Sequence, residues 1–212
     1  MTLVLHAHPL SSYCHKVLIA LYELSVNFEM AFLDLGNEEQ RGAFFTLWPI
    51  GKMPVLEDRT SGLVLPEASI IVEWLNTRAR GPLIPGDPGT ALEVRLWDRI
   101  LDLHVHTPMQ AFAAHLLRRE DQRDPLAITT ATERLRVAYD LLEKRLDGRE
   151  WIAGEAFSLA DCAAAPALFY AAQRVTFGAR TRLSGYLERL MARPSYARVL
   201  RDARPYFHMV PQ

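Results

Sequence analysis

The chain has 212 residues, half of them hydrophobic and 23% charged, with a formal net charge of −1. That length admits one large domain or two small ones and enough buried surface to fold without a metal or disulfide staple. The balanced charge argues against a nucleic-acid partner, which calls for a basic excess, and two cysteines, Cys14 and Cys162, make neither a disulfide framework nor a zinc site and suit a reducing cytoplasm.

Residues 2–6 are rich in β-formers and predict a strand. Residues 12–24 place Val17, Ala20, Leu21 and Leu24 on one face and predict an amphipathic helix. Residues 28–33 predict a second strand, and 38–47 a short helix. Residues 54–57 and 63–65 flank Asp58, Arg59, Thr60, Ser61 and Gly62, which is hairpin chemistry. Residues 67–79 predict a helix with Ile70, Ile71, Trp74 and Leu75 as its apolar stripe. The order is β-α-β-α-β-β-α.

Residues 80–89 hold three prolines and three glycines and read as a linker. Everything beyond reads as helix. Residues 91–117 form a long pattern bent or broken near Pro108. Residues 126–146 align Leu135, Ala138, Leu142 and Leu146, then stop at Asp147-Gly148. Residues 118–124 are charged with mixed sign and predict a solvated loop. Further helices start near Leu159, Arg180 and Ser195. The expected domains are therefore α/β over residues 1–80 and all-α over residues 90–205. Residues 1–10 carry no basic leader, and the small-apolar stretch 162–172 falls short of the roughly 20 residues that span a bilayer. A cytoplasmic location with no membrane partner is expected.

Four short segments carry candidate chemistry. Ser11, Ser12, Tyr13 and Cys14 open the first helix, where free N–H groups and the helix dipole stabilise an anion such as a thiolate; plain capping by the serines is the alternative. Met53-Pro54 follows Gly51-Lys52 and is compatible with either a cis peptide or a strand-edge proline. Glu67 stands at a helix start, where it complements the dipole. Ser158 and Asp161 make a capping box with Phe157 as a staple residue. His6, His8, His104 and His106 lack the spacing of metal ligands, so no metal is expected.

The order and spacing of these segments resemble the cytosolic glutathione S-transferases, over essentially the whole chain. The resemblance implies a thioredoxin-like N-terminal domain plus an all-α helical-bundle C-terminal domain. Within the family, residues 11–17 resemble the serine-type segment of theta-like, zeta-like and many bacterial members. It implies Ser11 as the catalytic hydroxyl, with Ser12 able to substitute, and glutathione as co-substrate without a metal. It places Lys52 on the glycyl carboxylate, Gln40 as an added contact, Met53 beside the cis Pro54 on the cysteinyl backbone, and Glu67 on the γ-glutamyl ammonium. Ala68 stands where the family has a serine that grips the γ-glutamyl carboxylate, and Ser69, about 100° further round, is a poor replacement. Leu103, Pro108, Met109 and Phe112 are the implied acceptor pocket. The segment also resembles the Cys-Pro-Tyr-Cys site of glutaredoxins, with Ser11 in the place of the nucleophilic cysteine. The implied activity is transfer of glutathione to a hydrophobic electrophile in detoxification, by a homodimer. A zeta-like isomerase or dehalogenase and a non-catalytic interaction protein of the stringent-starvation type are the alternatives.

Overall fold

The computed structural model describes residues 2–210. The N-terminal domain follows the expected element order: β1 (Leu3–Ala7), α1 (Ser12–Glu23), β2 (Glu29–Phe32), α2 (Glu38–Leu47), β3 (Val55–Asp58), β4 (Leu63–Pro66) and α3 (Ala68–Ala79). The four strands form one mixed sheet in the order β2-β1-β3-β4. β1 runs parallel to β2, with Leu5 opposite Met30, and antiparallel to β3, with Leu5 opposite Leu56. β3 and β4 form the hairpin, closed by Asp58, whose carboxylate accepts from the Thr60 N–H and the Ser61 hydroxyl. β2 is shorter than the apolar run predicts, because it is an edge strand and its ladder ends at Phe32.

The C-terminal domain is mostly helical: α4 (Pro88–Leu101), α5 (Thr107–Leu117), α6 (Pro125–Arg145), α7 (Leu159–Ala172), α8 (Thr181–Ala192) and α9 (Pro194–Ala203). The linker ends where Asp87 caps α4, its carboxylate accepting from the Thr90 N–H at 2.8 Å. The break expected near Pro108 is a π-helical turn at Asp102–His106. Proline has no N–H and crowds the carbonyl four residues back, so the helix widens by one residue just ahead of it. Among the described residues no helix is long and apolar enough to cross a membrane.

α7 is almost wholly buried and packs on both α1 and α4. Its alanines, including Ala163, Ala164, Ala165 and Ala167, bring those helices close. Its N-terminus is the predicted capping box: Asp161 accepts from the Ser158 N–H and hydroxyl at 2.8 and 2.9 Å, and from the Tyr186 hydroxyl at 2.6 Å. The hydrophobic core runs continuously from the sheet through α1 into α7 and α6. The start of α1 is thereby fixed between the two domains.

Candidate functional site

The chain leaves β1 and enters α1 through Ser11, the N-cap. Its backbone is extended and its Oγ accepts from the Cys14 N–H at 3.4 Å. The capping role is therefore real and uses a lone pair of the hydroxyl. Ser12, one residue on, is only 4% exposed. Cys14 is fully buried, and burial pushes its thiol up to about 11 against the opposing Ser11 hydrogen bond. It is a structural thiol, not a nucleophile.

Two cavities flank this turn. One is largely apolar, with Leu10, Ser11, Ser12, Met109, Ala113 and Tyr170 among its walls and Met209 from the C-terminal segment. Gln110, Gln173 and Arg174 form its polar edge. The other is charged. Tyr13, Lys52, Met53, Pro54, Glu67 and Ala68 line it from the N-terminal domain, and Arg99, Asp102, Leu103 and Thr107 from the helices. Neighbours in α1 reach different cavities because each helical step turns by about 100°.

The structure thus gathers five of the residues expected to bind glutathione, Lys52, Met53, Pro54, Glu67 and Ala68, in one cavity. The Met53-Pro54 bond is cis. Gln40 is not on its wall: it is exposed on α2, and its Oε1 accepts from the Asp34 N–H at 2.9 Å. The four expected acceptor residues divide. Met109 faces the Ser11 cavity and Leu103 the charged one, while Pro108 and Phe112 line neither. Leu103 lies within the π turn at Asp102–His106, which widens the helix by one residue and so breaks the regular spacing between Leu103 and Met109.

Glu67 has φ 69° and ψ 112°, backbone that favours glycine. Such a residue stores about 1–3 kcal/mol of strain and is found where geometry matters. Here it turns β4 into α3, and its carboxylate does not cap its own helix. Tyr13 stacks on the buried His106 ring at 4.2 Å. Burial, aided by the Asp102 charge, pushes the Tyr13 hydroxyl up to about 12, so it remains a neutral donor at neutral pH.

Behind the charged cavity lies a buried polar cluster. Lys16 Nζ is fully enclosed and sits 2.6 Å from Asp98 and 2.9 Å from Asp102. It also donates to the Ser69 hydroxyl at 2.9 Å, and that hydroxyl donates to Asp98 at 2.8 Å. Burial raises the Asp98 carboxyl despite Lys16. Burial acts the same way on Asp102 but is overcome by the His106 hydrogen bond and the Lys16 charge, which hold its pKa at about 2. His106 is pushed down by burial, stays neutral, and places Nδ1 3.5 Å from Asp102.

Sequence reasoning missed Arg99, Asp102, Tyr170 and Met209. One signal was available for Asp102: Asp98 and Asp102 are four residues apart, on one face of a helix whose neighbouring positions Val94, Trp97 and Leu101 are apolar. Two carboxylates on a buried face require a buried cation, and Lys16 on the apolar face of α1 supplies it. Among the described residues no group of His, Cys, Asp or Glu is placed to hold a metal ion.

The family descriptions "Glutathione S-transferase, N-terminal domain" and "Glutathione S-transferase, C-terminal domain" match residues 10–78 and 103–194. The chain is 34% identical to a glutathione S-transferase-like protein LUC7 from Fusarium sp over 132 residues, covering 60% of this chain and 58% of that one. It is 26% identical to a glutathione S-transferase from Silene vulgaris, over 94% of this chain and 97% of the relative. A solved glutathione S-transferase from Methylobacillus flagellatus, with GSH bound, superposes with a TM-score of 0.85 at 26% identity, covering 93% and 98% of the two chains.

Proposed function

Given that the chain belongs to the glutathione S-transferase family, we propose that it binds glutathione in the charged cavity and directs the thiolate at a hydrophobic electrophile in the apolar one. One observation carries this reading: the first turn of α1 is the shared wall, with Ser11 on one side and Tyr13 on the other. The sulfur would sit at that wall, beside the helix N-terminal N–H groups.

A thiol ionises near pH 8.5–9, so about a few per cent is thiolate at pH 7. Lowering its pKa by about 2 units takes about 2.7 kcal/mol of preference for the anion. One charge-assisted hydrogen bond from the Ser11 O–H, about 1.5–3 kcal/mol, plus the helix dipole at about 0.3–1 kcal/mol, is sufficient. Ser11 is preferred over Ser12 because Ser12 is nearly enclosed. The thiol proton goes to solvent, and the thiolate then attacks an electrophilic carbon, forming the C–S bond as the bond to a leaving group breaks and the group departs with its electron pair. Lys52 takes the glycyl carboxylate, with Gln40 outside the cavity as an outer contact. The Met53 backbone beside Pro54 pairs with the cysteinyl unit. Glu67 takes the ammonium and the Ala68 N–H meets the γ-glutamyl carboxylate. Met109 flanks the acceptor, and Leu103 lies on the glutathione side.

On this reading the protein is a serine-type, theta/zeta-like detoxifying enzyme of the cytoplasm, a homodimer with domain boundaries at residues 1–80 and 90–205. Ala68, lacking the family serine, is the feature that favours a non-catalytic binding protein instead.

The test is Ser11→Ala. It is expected to raise the pKa of bound thiol and lower kcat about 10- to 100-fold, the loss of one hydrogen bond to an anion, with glutathione affinity changed less than about threefold. Absorbance titration of the bound thiolate and calorimetry separate the two. If about 10 mM glutathione fails to raise the melting temperature of the wild type, the binding premise fails, because linkage requires stabilisation above Kd.

A further inference from the structure

We propose that Arg99 grips the α-carboxylate of the γ-glutamyl group, in place of the hydroxyl that Ala68 lacks. This rests on the glutathione reading above and assigns a binding residue within it.

The γ-glutamyl end of glutathione is a zwitterion, with an ammonium and a carboxylate on one carbon. A pocket for it needs an anion and a cation close together. Glu67 and Asp102 supply negative charge on that part of the wall, and Ala68 contributes no side-chain donor. Ser69 does not compensate. Its hydroxyl faces away from the cavity into the cluster, donating to Asp98 at 2.8 Å and accepting from Lys16 at 2.9 Å. Turning it outward would strip a partner from a buried lysine and a buried carboxylate. Lys16 is equally committed: it is fully enclosed and spent on Asp98 and Asp102.

Two cations remain on the cavity wall, Lys52 and Arg99. Lys52 directly precedes Met53-Pro54, the segment assigned to the cysteinyl and glycyl units. Arg99 comes from α4, one turn before Asp102 and one turn after Arg95, which pairs with Glu73 of α3, and it shares the cavity wall with Glu67 and Ala68. Its Nη1 is 3.6 Å from Asp102, longer than a hydrogen bond, and 55% of its side chain is exposed. Asp102 is held more closely by Lys16, and the looser ion pair of Arg99 with Asp102 leaves the forked edge of the guanidinium able to turn to a carboxylate. A bidentate guanidinium–carboxylate pair is stronger and more directional than a single hydroxyl contact. Arg99 and Glu67 then match the two charges of the ligand in one step.

The experiment compares glutathione with 4-aminobutyryl-cysteinylglycine, which is glutathione without its α-carboxylate. Wild type is expected to bind glutathione about 10- to 100-fold more tightly by calorimetry, the loss of one charge-assisted pair. Arg99→Ala is expected to cut that preference to the few-fold that the Ala68 N–H supplies, by weakening glutathione alone, with the analogue's Kd unchanged within about threefold. Arg99→Lys should keep part of it. The proposal is overturned if Arg99→Ala retains the wild-type preference, or if it weakens both peptides equally, which marks a structural role. A wild type that binds both peptides equally overturns it while leaving glutathione binding intact. A wild type that binds neither removes the glutathione reading as well.

Discussion

The two cavities on either side of the α1 N-terminus are made by opposite physics. The apolar one draws its walls from α5, α7 and the C-terminal segment, with Met109, Ala113 and Met209 supplying shape. The charged one is built from the turns before β3 and α3 and from α4, and it is backed by a buried lysine and two buried aspartates. Consecutive residues of α1 serve as their foundations. His15 lies behind the apolar side, 5.7 Å ring to ring from Tyr170, with its Nε2 donating to the Pro9 carbonyl. Lys16 lies behind the charged side. Both side chains are fully buried. One helix can therefore keep a neutral ring and an ionised amine side by side, provided each has its own partner.

Removing the charged foundation should have the largest effect. Lys16→Met leaves Asp98 and Asp102 buried without their cation, and a loss of about 3–5 kcal/mol is expected in denaturant unfolding at pH 7. A loss below about 1 kcal/mol would mean that the cluster does not support the charged cavity.

The neutral foundation predicts a pH dependence of comparable size. Burial, opposed by the Pro9 carbonyl and assisted by His106, lowers the His15 pKa from its usual 6.5 to about 4. Between those values the unfolded chain binds a proton that the folded chain refuses, so acid destabilises the fold. The wild type should lose about 3 kcal/mol through this residue on going from pH 7 to pH 4. His15→Gln should flatten that part of the stability–pH curve; an unchanged slope would assign the acid sensitivity elsewhere.

The smallest effect tests the division of labour directly. Met209 is 54% exposed, so Met209→Ala should leave the melting temperature unmoved. It should raise the acceptor KM about fivefold, as expected for roughly 1 kcal/mol of lost apolar contact, and leave glutathione Kd alone. A matching change in glutathione Kd would merge the two cavities into one site.

The charged cavity was more legible than the apolar one for a physical reason. Its N-terminal wall rests on local signals, a proline after Gly51-Lys52 and a helix start at Glu67. Each is dictated by backbone dihedrals over a few residues. Gln40 belongs to such a local element yet does not reach the cavity, because its side chain satisfies the Asp34 N–H of its own turn. The acceptor residues came only from the resemblance, and the packing of α5 turns Met109 but neither Pro108 nor Phe112 onto the apolar wall.

From sequence alone came the β-α-β-α-β-β-α order, the linker, the all-helical remainder, the cap on α1 and the Ser158–Asp161 box, because apolar periodicity, proline, glycine and capping residues act within a turn or two. Tertiary structure alone decided that Lys16 is buried, that Ser69 faces the helices, and that Arg99 and Asp102 stand beside Glu67. The Lys16–Asp102 pair joins residues 86 apart in the chain. Such a meeting follows from how α7 draws α1 and α4 together, and no local preference encodes it.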